Sequence, residues 1–165
     1  MFIRMRISVL ILLFFLVWPC YALDNHTSIN QKPADNKKGQ SAKAISDYSE
    51  TIRLTPKHAD FYYSRGLTYN KMGKYNKAIS DYSEAIKLKP EHADFYYSRG
   101  LAYNKIGLYA EAISDYSEAI KLKPKHADFY YSRGLAYNKV GKSDKAIYDY
   151  TKAIELKHKH ADMDL

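Results

Sequence analysis

The chain has almost no cysteine. Cys20 is the only one among 165 residues, and it lies in an N-terminal segment that we expect to be removed. The mature chain then contains no disulfide bond and no thiol nucleophile, and zinc sites built on cysteine are excluded. We therefore expect an exported protein whose stability comes from packing.

The chain also lacks a long hydrophobic run and a polybasic run. The apolar stretch over 7–18, ISVLILLFFLVW, is shorter than the roughly 20 residues that a helix needs to cross a bilayer. The formal charge is +8, and from residue 23 onward 24 Lys and Arg against 18 Asp and Glu leave +6, evenly spread. This pattern does not predict specific nucleic-acid binding and indicates a mild attraction to anionic surfaces.

The first 22 residues have the layout of a secretory signal peptide. Two arginines in MFIRMR precede the apolar run, and the small residue Ala22 closes the segment. We predict cleavage after Ala22 and a periplasmic or secreted mature protein. Two alternatives stay open: an uncleaved membrane anchor over 7–23, and lipid attachment at Cys20, for which the neighbouring Trp18 and Pro19 are a poor match.

From residue 59 the sequence repeats with a period of 34. The first two copies are identical at 28 of 34 positions and the last two at 24 of 34, and residues 43–58 parallel the second half of a copy. A fixed period of this size indicates a repeat architecture. The predicted divisions are a signal peptide over 1–22, a flexible linker over 23–40, a half unit over 41–58, units over 59–92, 93–126 and 127–160, and a tail over 161–165.

Each unit has the apolar spacing of two helices. In the first unit, apolar and small residues recur at three- and four-residue steps over 59–72 and 75–88. Gly73 separates these stretches, and Pro90 ends the second. Because one hairpin cannot bury both of its apolar faces, we predict an all-α, right-handed solenoid of stacked helix-turn-helix hairpins.

The repetition argues against catalysis. Every Ser, His and Asp at a periodic position occurs in each unit, whereas a catalytic residue is normally singular. The histidines of the turns between units lie one per turn and do not converge as metal ligands must. We therefore predict no enzyme activity, no cofactor and no bound metal. These histidines are His58, His92, His126 and His160.

The repeated residues resemble the tetratricopeptide repeat (TPR) family. The family pattern is Trp-x2-Leu-Gly-x2-Tyr, then Ala-x3-Phe, then Pro. The arginine before the glycine is similar to a form common in bacterial members, and His158 replaces the proline in the third unit. The resemblance covers about three quarters of the chain. In the first unit the pattern positions hold Tyr62, Arg65, Gly66, Tyr69, Ala78, Tyr82 and Pro90.

The resemblance implies a non-catalytic scaffold or adaptor that binds a protein or peptide in the concave groove lined by the first helices. Carried over position by position, the groove has an Asp, a Tyr, a Leu and an Asn-Lys pair in each unit. The implied groove residues are Asp60, Tyr63, Leu67, Asn70 and Lys71 in the first unit, Asp94, Tyr97, Leu101, Asn104 and Lys105 in the second, and Asp128, Tyr131, Leu135, Asn138 and Lys139 in the third.

Several of these positions have a second interpretation. The tyrosines at the groove positions also suit packing between helices, and the Asn and Lys positions suit a solvated face. Arg65 and its repeats Arg99 and Arg133 either bind acidic ligands or pair with neighbouring acids. An alternative function is a polyanion or cell-envelope binding module that uses the lysines.

Two features narrow the expected partners. Members that bind chaperone C termini use a two-carboxylate clamp of Lys, Asn and Arg, and Tyr63, Leu67 and Asp128 stand at clamp positions here, which argues against that ligand. Members usually end in an extra polar-faced helix, and none follows the helix over 142–157. We expect this end to self-associate or to be covered by a partner.

Overall fold

The structure is a computed structural model, and it describes residues 33–161. The chain divides into two units, Met1–Gln40 and Ser41–Leu165, and the second unit carries three complete helix hairpins. The described residues form α-helices and no strand. The helices are α1 (Pro33–Leu54), α2 (Ala59–Lys71), α3 (Tyr75–Leu88), α4 (Ala93–Lys105), α5 (Tyr109–Leu122), α6 (Ala127–Lys139) and α7 (Ser143–Ala161).

The predicted all-α solenoid of hairpins is confirmed. The stretches 59–72 and 75–88 correspond to α2 and α3, with one residue of difference at the first end. The predicted linker over 23–40 needs a correction, because residues 33–40 are helical and belong to α1. Its remaining residues, the signal peptide with its anchor alternative, and 162–165 of the predicted tail lie outside the described residues. Within 33–161 no helix is long and apolar enough to cross a membrane.

Glycine and proline set the helix ends. Gly107, between α4 and α5, has φ +81°, a left-handed conformation that glycine adopts without steric cost. The helix α5 ends at Leu122, two residues before Pro124, because a residue before proline disfavours the α conformation. In the third unit His158 replaces that proline, and α7 continues to Ala161.

In each hairpin a tyrosine of the second helix packs directly against a glycine of the first helix. A Cβ atom placed on Gly100 would lie 2.7 Å from Cε1 of Tyr116, so only glycine permits this approach. Tyr116 is fully buried, and its hydroxyl has no hydrogen-bond partner in the described part of the chain. Tyr82 is buried in the same way in the preceding hairpin, and burial raises the pKa of both tyrosines.

Consecutive hairpins pack through small residues, and we call each interface between two consecutive hairpins a joint. Ala102 of α4 is fully buried against Tyr82 and Ala78 of α3, and Ala136 of α6 is buried in the same way against Tyr116. A second apolar cluster at each joint holds the phenylalanine of the incoming first helix, which is almost completely buried in α4 and α6. The core is therefore a row of equivalent joints.

Candidate functional site

The predicted groove positions form one stripe along each first helix. On α2, residues 60, 63, 67, 70 and 71 fall within roughly 100° of the helix circumference, since successive residues turn by about 100°. The helices α2, α4 and α6 contact one another in that order. The structure therefore aligns the three stripes side by side across the stacked hairpins.

The first two tyrosines of the stripe contact the next unit and so belong to the joints. The Tyr63 hydroxyl lies 3.1 Å from Ser98 Oγ of the next unit, and its ring packs 4.7 Å from the ring of Phe95. Tyr97 repeats both contacts with the third unit, at 3.2 Å from Ser132 Oγ. Of the two interpretations offered by the sequence, packing between helices describes Tyr63 and Tyr97. Tyr131, in the last unit, is 50% exposed.

The aspartates of the stripe are engaged in ion pairs. Asp60 accepts a hydrogen bond from Lys89 Nζ at 2.9 Å, and this bond lowers the pKa of the carboxyl group. Asp94 accepts the equivalent bond from Lys123 at 2.8 Å. In the third unit Asp128 lies 3.5 Å from a lysine of α7. These carboxylates also sit in the first turn of their helices, where a negative charge is favourable.

The Leu, Asn and Lys positions differ in exposure. Leu67 is half-buried in the cluster around Tyr82, whereas Lys71 is exposed. Asn70 and Asn104 are half-buried, and the Oδ1 atom of each is buried with no partner in the described part of the chain. The remaining positions repeat this pattern, except that the third unit is more open. Its exposed stripe residues are Asp128, Tyr131, Leu135, Asn138 and Lys139.

The arginine that precedes each hairpin glycine is half-buried and forms an ion pair with an aspartate of the same hairpin. Arg99 donates from Nε and Nη2 to both carboxylate oxygens of Asp115, at 2.8 Å each, and from Nη1 to Ser83 Oγ of the preceding unit at 3.0 Å. Its guanidinium also lies 5.9 and 5.8 Å from the ring centres of Tyr96 and Tyr103. The bonds to Asp115 raise the pKa of Arg99, while burial raises the pKa of the Asp115 carboxyl.

The same triad of arginine, aspartate and serine recurs at each hairpin. The other two triads are Arg65 with Asp81 and Ser49, and Arg133 with Asp149 and Ser117. Of the two interpretations of the arginines, pairing with neighbouring acids is the one the structure supports. The particular aspartate and serine partners were not among the residues predicted from the sequence. Their signal was available, because each aspartate lies 16 residues after its arginine in every unit.

The turn histidines have a packing role that sequence reasoning missed. His92 stacks on Phe95 at 4.3 Å between ring centres, and His126 stacks on Phe129 at 4.2 Å. Each therefore covers the phenylalanine that enters the joint from the following helix. Over residues 33–161 no cluster of three or more His, Cys, Asp or Glu side chains is arranged to hold a metal ion.

Family models match nearly all of the described chain. The model described as "TPR repeat" matches residues 34–73, 68–107 and 103–141, and the model described as "Tetratricopeptide repeat" matches residues 127–160. The chain belongs to the tetratricopeptide repeat family. Among curated proteins none matches this TPR chain.

Solved TPR structures align with this chain over most of its length. A crystal structure of MamA is 33% identical over 75% of this chain and 72% of that one, with a TM-score of 0.73. The first TPR of Spaghetti (RPAP3), bound to the HSP90 peptide SRMEEVD, is 31% identical over 59% of this chain and 78% of that one, with a TM-score of 0.59. MamA from Desulfovibrio magneticus RS-1, at 23% identity and a TM-score of 0.69 over 73% of this chain and 68% of that one, shares the fold.

Proposed function

We propose that this TPR protein is a non-catalytic interaction module that binds an extended segment of a partner protein across the stripes of α2, α4 and α6. The observation that carries the proposal is the repeated Asn-Lys pair. It recurs on each first helix, and within residues 33–161 its side chains form no hydrogen bond or ion pair with another unit. Family membership supports a protein or peptide as the partner.

The asparagines supply the hydrogen bonds in this proposal. Asn70 and Asn104 have buried carbonyl oxygens without partners in the described chain, and an asparagine side chain can both accept from and donate to a peptide backbone. Because these Oδ1 atoms are buried, a ligand cannot reach them, and the amide nitrogen of each side chain is the group that we expect to donate to a peptide carbonyl. The one-per-unit spacing suits an extended chain that crosses the helices.

The charges of the stripe favour an acidic or carbonyl-rich segment. The aspartates pair with lysines at or near the C-terminal ends of the second helices, whereas Lys71, Lys105 and Lys139 are exposed and form no ion pair in the described chain. The stripe therefore presents uncompensated positive charge at its C-terminal ends. It lacks the cations and amides of a two-carboxylate clamp at Tyr63 and Leu67, so we infer a ligand that differs from SRMEEVD.

The test compares two double variants of the chain. Peptides are selected from a displayed random library on the wild-type protein, and their affinities are measured by titration calorimetry. Asn104→Ala with Lys105→Ala should weaken the selected peptides about tenfold, since each lost hydrogen bond contributes about 1 kcal/mol. Ser114→Ala with Lys121→Ala, at exposed positions of α5, is the matched control and should change nothing.

Two outcomes would count against this assignment. Equal affinities for the Asn104 variant and the wild type would remove the stripe as the binding surface. Saturable binding of SRMEEVD would contradict the argument from Tyr63 and Leu67. Circular dichroism should show the same helical content in all variants, because neither side chain forms a hydrogen bond or ion pair within the described chain.

A polyanion at the cell envelope is the second candidate function. The exposed lysine of each stripe and the charge of +6 after residue 22 support it. A contact driven by lysines weakens steeply with salt, whereas a hydrogen-bonded peptide contact weakens mildly. Titration with heparin at rising ionic strength separates the two: tight, strongly salt-dependent binding that is lost in Lys71→Ala/Lys105→Ala would favour the polyanion.

We also propose that the protein acts after export, in the periplasm or outside the cell. The arginines, apolar run and Ala22 of the first 22 residues support this location. Mass spectrometry of the mature N terminus tests it. A chain that begins at Leu23 is expected, a chain that keeps residues 1–22 would support a membrane anchor, and a lipid on Cys20 would support the third alternative.

A further inference from the structure

The last described hairpin has an apolar face whose side chains are exposed. This end face is formed by Tyr131 and Leu135 of α6 and by Ile147, Thr151 and Ile154 of α7. Ile147 is 63% exposed and Ile154 is 58% exposed. Ile147 and Ile154 are seven residues apart and lie on the same face of α7. Large exposed aliphatic side chains on one helix face are typical of an interaction surface.

The other units show what covers this face. Ile52 of α1 and Ile120 of α5 are at the position of Ile154, and both are 9% exposed. Ile120 packs with Phe129 and Tyr130 of the next first helix. Ser49 and Ser117 are at the position of Thr151, and each accepts a hydrogen bond from an arginine of that next helix at 3.0 Å. Thr151 retains the hydroxyl group although no described arginine reaches it.

The tyrosine of the end face has a defined complement as well. Tyr63 and Tyr97 bond to a serine and pack on a phenylalanine of the next first helix. Tyr131 has neither contact within residues 33–161. The end face thus carries every element of a joint, and its complement is a helix with Phe, Ser and Arg at its third, sixth and seventh positions.

The helix α2 has the Phe, Ser and Arg of such a complement, but two of these side chains lack the contacts that their repeats make. Phe61 is half-buried, whereas Phe95 is 1% exposed. Ser64 is also half-buried, and no tyrosine of the described residues bonds to it or packs on Phe61. The residue 34 positions before Tyr63 is Ile29, so the half unit that precedes α2 has no tyrosine at this position. The face of α2 therefore lacks a tyrosine contact, and Tyr131 at the other end of the described hairpins lacks its serine and phenylalanine contacts.

The segment 41–54 of α1 occupies the other half of the α2 face. Ile52 is the only buried side chain of this segment, and Ser49 accepts a hydrogen bond from Arg65 of α2. Asp47, at the position of the triad aspartates, is exposed and pairs with no arginine of the described chain. Its sequence, SAKAISDYSETIRL, parallels KAIYDYTKAIEL of α7. The two segments are thus alternative partners for the same face of α2.

We propose that the protein self-associates head to tail, with the end face of one copy docked on α2 of a second copy. In this complex α7 takes the place of residues 41–54 of α1, and Tyr131 reaches Phe61 and Ser64. The exchange replaces one joint by an equivalent joint and adds the tyrosine contacts. Thr68, which replaces the alanine of α4 and α6, already donates its hydroxyl to the Ser64 carbonyl oxygen at 3.0 Å, so it brings no unpaired donor into the interface.

A head-to-tail contact uses two different surfaces, so each copy keeps one free end and the assembly can grow. This property defines the experiment. Ile154→Glu removes the end face and keeps α2 intact, whereas Phe61→Glu does the reverse. Sedimentation velocity of the full-length chains should show growth with concentration for the wild type and single chains for each variant.

The decisive measurement is an equal mixture of the two variants. The mixture should form dimers that do not grow further, since it contains one intact end face and one intact α2 per pair. Ser114→Glu adds the same charge at an exposed position of α5 outside both surfaces, and it should associate like the wild type. All chains share residues 1–32, so association through that segment would be common to every sample.

Three results would overturn the proposal. A wild type that stays a single chain at every concentration would exclude self-association. Phe61→Glu that still pairs would indicate contact between two end faces, and a mixture that stays monomeric would exclude the head-to-tail arrangement. Thermal melting by circular dichroism identifies a variant that fails to fold. In that event Ser64→Arg replaces Phe61→Glu, with the same expected mixture.

Discussion

The close approach of Gly100 and Tyr116 yields a quantitative prediction for Gly100→Ala. Alanine is the better helix former, by about 1 kcal/mol. The new Cβ, however, would lie 2.7 and 2.9 Å from two ring carbons of Tyr116 and 3.3 Å from Cβ of Asp115. Tyr116 is fully buried, so its ring cannot swing into solvent. Overpacking of this kind costs about 1–3 kcal/mol, and after the gain in helix propensity we expect a net loss of up to about 2 kcal/mol.

Two other glycines provide matched controls for this substitution. Gly39 lies in α1, and a methyl group added there would meet nothing within 4 Å, so Gly39→Ala should raise the free energy of unfolding by up to about 1 kcal/mol. Gly134 meets Tyr150 at the same 2.7 Å, but Tyr150 is only half-buried at the open end. Its ring can move outward, and Gly134→Ala should cost less than Gly100→Ala.

The assay is urea unfolding followed by far-ultraviolet circular dichroism. The expected order of stability is Gly39→Ala above wild type, then Gly134→Ala, then Gly100→Ala. The reasoning would be refuted if Gly100→Ala were as stable as Gly39→Ala. It would also be refuted if Gly134→Ala lost more than Gly100→Ala, because exposure of the neighbouring tyrosine is what separates them.

Three further predictions concern charge, pH and backbone conformation. Arg133→Met leaves the almost fully buried Asp149 unpaired and should cost about 3–5 kcal/mol in urea unfolding, most of which Asp149→Leu in the same chain should restore. Because burial keeps Tyr82 and Tyr116 protonated after the unfolded chain has titrated, stability in urea should fall above pH 10 by about 1.4 kcal/mol per pH unit for each tyrosine. Gly107→Ala should lower the thermal midpoint, since φ +81° costs alanine about 1 kcal/mol.

Each of these predictions has a result that would contradict it. A double variant no more stable than Arg133→Met would mean that the unpaired carboxylate is not the source of the loss. A flat stability between pH 10 and 11 would mean that the two hydroxyls ionise in the folded protein. An unchanged melting midpoint for the turn variant would mean that the turn relaxes to another conformation without cost.

The helices and their stacking could be predicted from the sequence because every unit repeats the same evidence. Apolar spacing, Gly73 and Pro90 place α2 and α3 within one residue of their bounds. The start of α1 could not be predicted in this way, since PADNKKGQ has no apolar period and is typical of a linker. Its helical conformation continues from the periodic segment that follows.

The candidate site was less accessible to sequence reasoning. A tyrosine is equally suited to a ligand surface and to a joint, and only the contacts of Tyr63 with Phe95 and Ser98 decide its role. The pairing of the arginines could have been predicted, because an aspartate such as Asp115 in the middle of an apolar helix face needs a cation as its partner. Which of the stripe residues binds a partner remains a prediction for Asn104 and its repeats.

The equivalence of the joints also bears on how the gene can change. The tyrosine–serine contact measures 3.1 Å at one joint and 3.2 Å at the next, and the arginine–serine contact measures 3.0 Å at each of its three positions. Deleting or duplicating any 34 consecutive residues within the array recreates the same junction. Unequal recombination between copies therefore yields chains of different length that still fold, and the number of repeats is a quantity that selection can adjust in single steps.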